Sequence, residues 1–179
     1  MNVIKTDKIM YANRPKIKIQ LEPIDTILEA TTAAILIALW MYVIISYSSL
    51  PETIPTHINY KGEVDGTGNK MLIWVLLGIT TVITVGMHVL TRFPQIHNYM
   101  VNITEENAQH NYRLSSRMLR YVNLLTLLLL AYVCYAMIQK SFGDNFFMES
   151  AMTYLIIVYS VAMPIVLIVF MLKNQKAPK

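Results

Sequence analysis

Four long apolar stretches alternate with polar segments along the chain. They contain no Asp, Glu, Lys or Arg and cover residues 30–50, 71–91, 121–139 and 150–172. Each has the length of about 20 residues that an α-helix needs to cross the hydrocarbon core of a bilayer. A buried helix of a soluble protein could account for one such stretch, but hardly for four in 179 residues. The pattern therefore predicts an all-α integral membrane protein with four transmembrane helices.

The polar residues beside these stretches set the expected boundaries. Asp25 is the expected N-cap of the first helix, because Pro23 is not expected inside a helix. We predict an N-terminal arm over 1–24, a membrane domain over 25–172 and a tail over 173–179. Within the membrane domain, helices are predicted at about 26–49, 71–91, 104–139 and 150–172.

The third predicted helix is longer than a bilayer requires. Asn102 or Thr104 can cap it, and Glu105 and Glu106 suit the positive end of its dipole. Neither Gly nor Pro interrupts the sequence from there to Gln139. We therefore expect one continuous helix whose first turns extend beyond the membrane as a polar stalk.

The positions of the basic residues predict the orientation. Twelve of the 15 Lys and Arg residues lie in the arm, in residues 92–120 (which include the stalk of the third helix) and in the tail. Only three lie in the other two connections. The positive-inside rule places the twelve in the cytoplasm. The expected topology is therefore N-in and C-in, with residues 50–70 outside and the stalk of the third helix in the cytoplasm.

Composition narrows the functional classes. Hydrophobic residues make up 55% of the chain and charged residues only 15%. The net charge of +4 is explained by the topology, so we expect the lipid bilayer as a partner and no nucleic acid. Cys134 is the only cysteine, so no intramolecular disulfide is expected, and the residue types suggest no cofactor.

The outward segment 50–70 is the strongest candidate for a functional site. It combines prolines, which fix the backbone, with glycines, which permit turns, and this mixture is typical of a shaped loop. Its candidate ligand-binding or loop-fixing residues are His57, Asp65, Lys70, Pro51, Pro55 and Gly62. We expect His57 and Asp65 to form a polar pair, and Lys70 to anchor the loop at the head of the second helix.

The loop positions Leu50-Pro51, Ile54-Pro55, His57, Gly62, Asp65 and Lys70 form the pattern LPxxIPxHxxxxGxxDxxxxK. This pattern resembles the bacterial membrane domain-of-unknown-function family 1648, which is the N-terminal domain of SdpI-type immunity proteins. The later sequence NITEENAQHNYRL and the lead-in PKIKI…PIDTILE are similar to the same family, so the resemblance covers about residues 15–115.

The resemblance implies a multi-pass protein of the bacterial plasma membrane. It also implies protection against a membrane-active peptide toxin, coupled in some members to a cytoplasmic regulator. Asn107, Tyr112 and Arg113 are the candidate docking residues for such a cytoplasmic partner. The further helices of the full immunity proteins have no counterpart in this chain.

Several functions remain open at this level. The loop could be a structural cap with no ligand, or the chain could be an accessory membrane subunit, for example of a transporter. The chain could also be a receptor or immunity module for a peptide toxin or another envelope ligand, alone or as a homo-oligomer. A metal-dependent membrane enzyme is less well supported: His57 and Asp65 are weak metal candidates, but no catalytic set or paired-His spacing accompanies them. We therefore expect no enzyme activity and no metal.

Overall fold

The computed structural model describes residues 14–59, 63–143 and 149–178. The fold is mostly helical. Its helices are α1 (Pro23–Tyr47), α2 (Leu72–Leu90), α3 (Glu105–Ser141) and α4 (Glu149–Asn174), and a 3₁₀ turn covers Pro94–Ile96. Strands β1 (Thr53–Ile58) and β2 (Val64–Asn69) lie between α1 and α2. All four α-helices are long and apolar enough to span a membrane, which confirms the prediction of four such segments.

The long third helix is continuous, as predicted. Thr104 is its N-cap, and the Thr104 backbone amide donates to Oδ1 of the Asn107 side chain at 2.9 Å. At 37 residues the helix is about 55 Å long, given a rise of 1.5 Å per residue. Gly143 follows the helix with a φ of +83°, the left-handed conformation that glycine adopts most easily.

The start of the first helix differs from the prediction. Glu22, and not Asp25, is the N-cap, and Pro23 occupies the first turn. Pro is compatible with that position because the first helical amides have no partner within the helix. Asp25 is three residues inside, where its Oδ2 accepts a hydrogen bond of 3.0 Å from the Glu22 amide. This shift turns the Asp25 side chain from an end cap into a buried residue.

The strands correct the all-α prediction. Segment 50–70 is a β-hairpin whose two strands pair antiparallel, with Thr53 opposite Asn69 and Pro55 opposite Thr67. Its register is irregular on either side of His57. The predicted shaped loop therefore contains a two-stranded antiparallel sheet.

Helix α3 is the centre of the bundle. It contacts α1, α2, α4 and β1. The main core lies between these elements and comprises Leu39, Val43, Leu50, Ile54, Ile73, Leu77, Leu127, Cys134 and Ile138. Most described side chains of α4 are exposed apolar groups, which is what a lipid-facing helix presents. The hairpin therefore sits on one end of the bundle, and the connections around residues 14–22 and 91–104 lie at the other.

Candidate functional site

The base of the hairpin is anchored in the bundle. Leu50 and Ile54 are both buried in the main core. The Lys70 ammonium lies 2.9 Å from the Glu52 carboxylate and 3.4 Å from the Leu50 carbonyl oxygen, to which it donates. It also lies 5.3 Å from the centre of the Tyr47 ring. Lys70 therefore ties the end of the return strand to Tyr47 at the end of α1 and to the segment that follows it.

The predicted polar pair is present in the geometry. His57 Nδ1 and Asp65 Oδ1 are in direct contact across the two strands. The two side chains are 70% and 45% exposed, so solvent screens the pair and its contribution to stability is small. The structure therefore places two functional groups together on an accessible face of the hairpin.

Glycines allow the strands to approach closely. A Cβ on Gly66 would lie 3.0 Å from His57 Cβ, and a Cβ on Gly68 would lie 2.6 Å from Leu72 Cδ1 and 3.0 Å from Thr56 Cγ2. Real Cβ atoms do not approach other atoms so closely without a shift of the neighbour. The two glycines thus permit the packing that brings β2 against β1 and the start of α2.

The remaining loop candidates have separate positions. Pro51 is exposed where the chain leaves α1, whereas Pro55 is buried within β1 opposite Thr67. Gly62 lies outside the described residues. Among the residues that the structure describes, no three His, Cys, Asp or Glu side chains are grouped as metal ligands, and His57 with Asp65 is a pair only.

The outer edge of β2 carries backbone groups that face away from β1. The Lys70 amide donates to the Glu52 carbonyl at 3.0 Å, so it points towards β1. Amides alternate in direction along an antiparallel strand, which turns the Thr67 and Asn69 amides outward. Pro55, which lacks an amide hydrogen, stands opposite Thr67, as expected for a position without ladder hydrogen bonds. In the described part of the chain the sheet has two strands, so this edge has no further strand beside it.

A second polar site, which sequence analysis missed, lies at the opposite end of the bundle. Carboxylates at the start of α1 meet arginines of α3 in a network of ion pairs. We call this the ionic junction; it comprises Glu22, Asp25, Glu29, Arg92, Arg113, Arg117 and Arg120.

Asp25 is the most deeply buried carboxylate of the junction. It is 1% exposed. Arg117 donates from Nε to Oδ1 at 2.8 Å and from Nη2 to Oδ2 at 3.0 Å, which is the bidentate arrangement suited to a guanidinium and a carboxylate. Arg117 also lies 2.6 Å from Glu22. This geometry offsets the cost of burying the Asp25 charge.

The other arginines complete the junction. Arg120, which is 6% exposed, donates to Glu29 at 2.7 Å, and Arg92 at the end of α2 lies 2.8 Å from the same carboxylate. Arg113 lies 2.8 Å from Glu22. The junction therefore joins α1, α2 and α3 in one cluster of charges.

The segment between α2 and α3 is held beside the junction. Arg14 donates to the carbonyl oxygens of Gln95 at 3.1 Å and His97 at 2.7 Å, and its guanidinium lies 5.2 Å from the centre of the Tyr99 ring. The His97 ring contacts the Ser115 hydroxyl at 2.7 Å and the Leu90 carbonyl at 3.0 Å. Burial lowers the pKa of His97 below its ordinary value of 6.5, and burial also raises the pKa of Tyr99.

The predicted docking residues make contacts within the chain itself. Tyr112 is fully buried and donates to the Pro15 carbonyl at 3.0 Å. Asn107 is also buried, and its Nδ2 donates to the carbonyl oxygens of Asn102 and Lys176, each at 2.9 Å. Arg113 belongs to the ionic junction. The three residues therefore bring together the arm, α3 and the tail, and docking of a cytoplasmic partner there stays a prediction.

Comparison with known proteins finds matches to part of the chain. Residues 34–81 match the model of a domain of unknown function, DUF1648. The match covers the second part of α1, the hairpin and the first half of α2. The chain is also 30% identical over 104 residues to an uncharacterized protein of Archaeoglobus fulgidus, a match that covers 52% of this chain and 57% of that relative. No solved structure matches the chain.

The domain match agrees with the resemblance of the loop to family 1648, and the four long apolar helices make the chain a multi-pass membrane protein. The chain spans just over half of the archaeal relative's length. The segment that matches the domain, residues 34–81, contains the hairpin but none of the four arginines of the junction. The family relationship therefore bears on the hairpin end of the molecule.

Proposed function

We propose that the chain is a recognition protein of the SdpI-like immunity or sensing type, and that its hairpin binds a membrane-active peptide or another extended envelope ligand. The observation that carries this proposal is the outward-facing backbone edge of β2 on a hairpin whose base is fixed in the bundle. An extended peptide can add to such an edge as a further strand and gain main-chain hydrogen bonds.

The anchored base supports recognition because an already ordered hairpin loses little conformational entropy when a ligand binds. Ile54 is buried in the core and Lys70 holds the return strand. A preorganised site retains more of its contact energy as affinity than a flexible loop does. The exposed His57–Asp65 pair lies on the same hairpin and offers polar groups to the side chains of a bound peptide.

One observation favours an alternative, in which the hairpin is a structural cap of the bundle. Leu50 and Ile54 contribute directly to the main core, so the hairpin closes the end of the bundle whether or not it binds a ligand. In that case, changes at the hairpin should affect stability and any activity in parallel. In the recognition proposal, changes at the outer edge of β2 should affect activity alone.

The sharpest test removes one outward backbone donor. Thr67→Pro deletes the amide hydrogen that faces away from β1, whereas Thr67→Ala keeps it and serves as the matched control. Cells that express each variant are challenged with synthetic amphipathic peptides, and membrane depolarisation is measured. We expect protection by the unchanged chain and by Thr67→Ala. Loss of one backbone hydrogen bond should weaken binding by Thr67→Pro about three- to tenfold.

Membrane insertion and thermal unfolding of both variants are measured beside the challenge. Equal protection by Thr67→Pro and Thr67→Ala would contradict edge binding. Equal losses of stability and protection would favour the structural cap. If the unchanged chain gives no protection against any peptide of the panel, the immunity function is wrong for that class of ligand.

A further inference from the structure

A cavity of about 190 Å³ lies beside the ionic junction, outside the hairpin and its proposed function. The extended segment 15–22 forms one wall, through apolar residues that include Ile17, Ile19 and Leu21. The opposite wall comes from the end of α2 and the first half of α3. At about 30 Å³ for each water molecule, this volume holds about six waters or a polar group of similar size.

The charged side chains of the cavity are mostly basic. Lys18, Arg92, Arg113 and Arg120 line it, and Asp25 is the single carboxylate in its wall. Asp25 already accepts two hydrogen bonds from Arg117, which lies outside the lining. The cavity wall thus carries four basic groups and one acidic group whose charge is offset elsewhere.

Ion pairs within the junction do not cancel this excess of positive charge. Glu22 and Glu29 each pair with two arginines, so three carboxylates of the junction face four guanidinium groups. Lys18 adds a further positive charge at the cavity. An excess of one sign around a cavity raises the local concentration of ions of the opposite sign and favours their binding.

Arg113 supplies a more specific indication. Its Nε atom is buried and has no hydrogen-bond partner among the described residues, although its Nη1 atom lies 2.8 Å from Glu22. A buried donor without an acceptor destabilises a fold, and such groups are rare in proteins. An anion in the adjacent cavity would provide both the acceptor and the missing negative charge.

We propose that this cavity binds the phosphate group of a ligand, either a lipid headgroup or a soluble phosphate compound. Arginine forks bind the oxygens of a phosphate in pairs, and one phosphate presents several oxygens to donors on different sides. Arg113 and Arg120 from α3, Arg92 just after α2 and Lys18 from the arm line the space from three sides. The apolar groups of Ile17 and Leu21 next to it would contact the organic part of the ligand.

The site can be tested in the full chain with one variant pair on the arm. Lys18 lines the cavity, whereas Lys16 does not, and both are exposed. Lys18→Gln removes one charge from the site, and Lys16→Gln removes the same charge two residues away as the control. Arg113→Gln removes the buried donor, while Glu22 keeps its pairing with Arg117, so the fold retains that contact.

Two probes distinguish the sources of the phosphate. In neutral detergent at constant ionic strength, binding of inorganic phosphate is measured by calorimetry against chloride. In bilayer discs, retention of phosphatidylglycerol against phosphatidylcholine is measured by native mass spectrometry. We expect at least one of the two probes to bind, and Arg113→Gln should weaken that binding about tenfold or more. Lys18→Gln should weaken it about two- to fivefold, and Lys16→Gln should leave it unchanged.

Calorimetric binding of inorganic phosphate would identify a soluble phosphate compound, and selective lipid retention alone would identify a headgroup. The proposal is overturned if neither probe binds. It is also overturned if binding is unaffected by both Arg113→Gln and Lys18→Gln, or if Lys16→Gln reduces it as much as Lys18→Gln does. Because none of these variants touches the hairpin, protection through β2 should persist in each of them.

Discussion

The contact between Asp25 and Arg117 should be the strongest single electrostatic contribution to the stability of this protein. Asp25 is 1% exposed and accepts from two nitrogens of Arg117 at 2.8 and 3.0 Å. Asp25→Asn keeps the size of the side chain and one acceptor oxygen but removes the charge. Removal of one partner from a buried ion pair costs about 3–5 kcal/mol.

The expected loss is smaller than that range because the network compensates in part. Arg117 keeps its contact of 2.6 Å with Glu22, and its side chain is 26% exposed. We therefore expect Asp25→Asn to lower the free energy of unfolding by about 2–3 kcal/mol. For a domain of this length, this corresponds to a fall of roughly 5–10 °C in the unfolding temperature.

The assay is a double-mutant cycle in a mild detergent, followed by the fluorescence of the two tryptophans, Trp40 and Trp74. Asp25→Asn and Arg117→Gln are measured alone and together, and the double variant should lose less than the sum of the two. A coupling energy of 0.5–3 kcal/mol is typical of residues in one network. Glu105→Gln, at an exposed carboxylate, is the control and should cost below about 1 kcal/mol. Additive losses, or no loss for Asp25→Asn, would refute the reasoning.

Three further changes test other parts of the molecule. If the orientation is N-in and C-in, an impermeant thiol reagent added to intact cells should label Glu63→Cys and leave Glu105→Cys unlabelled; the reverse would overturn the topology. Gly68→Ala would place a methyl group 2.6 Å from its nearest neighbour and should cost about 1–3 kcal/mol in thermal unfolding, whereas Gly78→Ala, with open space around it, should cost nothing. Burial lowers the pKa of His97, so the unfolded chain binds its proton more readily; stability should fall as the pH drops below 6.5, and His97→Gln should flatten that dependence.

The helices could be predicted from sequence because their signals are local. An uncharged stretch long enough to cross a bilayer is visible without knowledge of its neighbours. The long third helix was predictable for the same reason, since Thr104 offers a cap and no breaker follows. The start of α1 was less certain, because Pro23 is compatible with both the end of a loop and the first turn of a helix.

The hairpin was harder to predict. Prolines and glycines indicate turns, and they occupy both strands: Pro55 is within β1, and Gly66 and Gly68 are within β2. The two glycines are needed because the strands approach each other and Leu72 closely. Such contacts between distant parts of a segment are not visible in a local sequence pattern. The His57–Asp65 contact was predictable because a short connection limits how far the two residues can separate.

The ionic junction carries a signal that the analysis of single segments did not use. Glu22, Asp25 and Glu29 are spaced by three and four residues, so they share one face of a helix. Three arginines of α3, Arg113, Arg117 and Arg120, are spaced by four and three residues and therefore also share one helix face. In the structure each carboxylate meets the arginine at the same level, because α1 and α3 run in the same direction. Two helix faces of opposite charge therefore indicate neighbouring helices, whereas their parallel direction becomes visible only in the structure.

The same arginines had been assigned a role in orientation, and the junction adds a second role without removing the first. The positive-inside rule depends on the number of Lys and Arg residues near the helix ends and only weakly on acidic residues. The pairing of Arg117 with Asp25 leaves that number unchanged. Yet a residue placed for topology alone could remain in water, whereas Arg120 is 6% exposed and Asp25 is 1% exposed. Burial of one charge of each sign shows that the junction is part of the packed structure, and its four guanidinium groups against three carboxylates are the excess to which the proposed anion would bind.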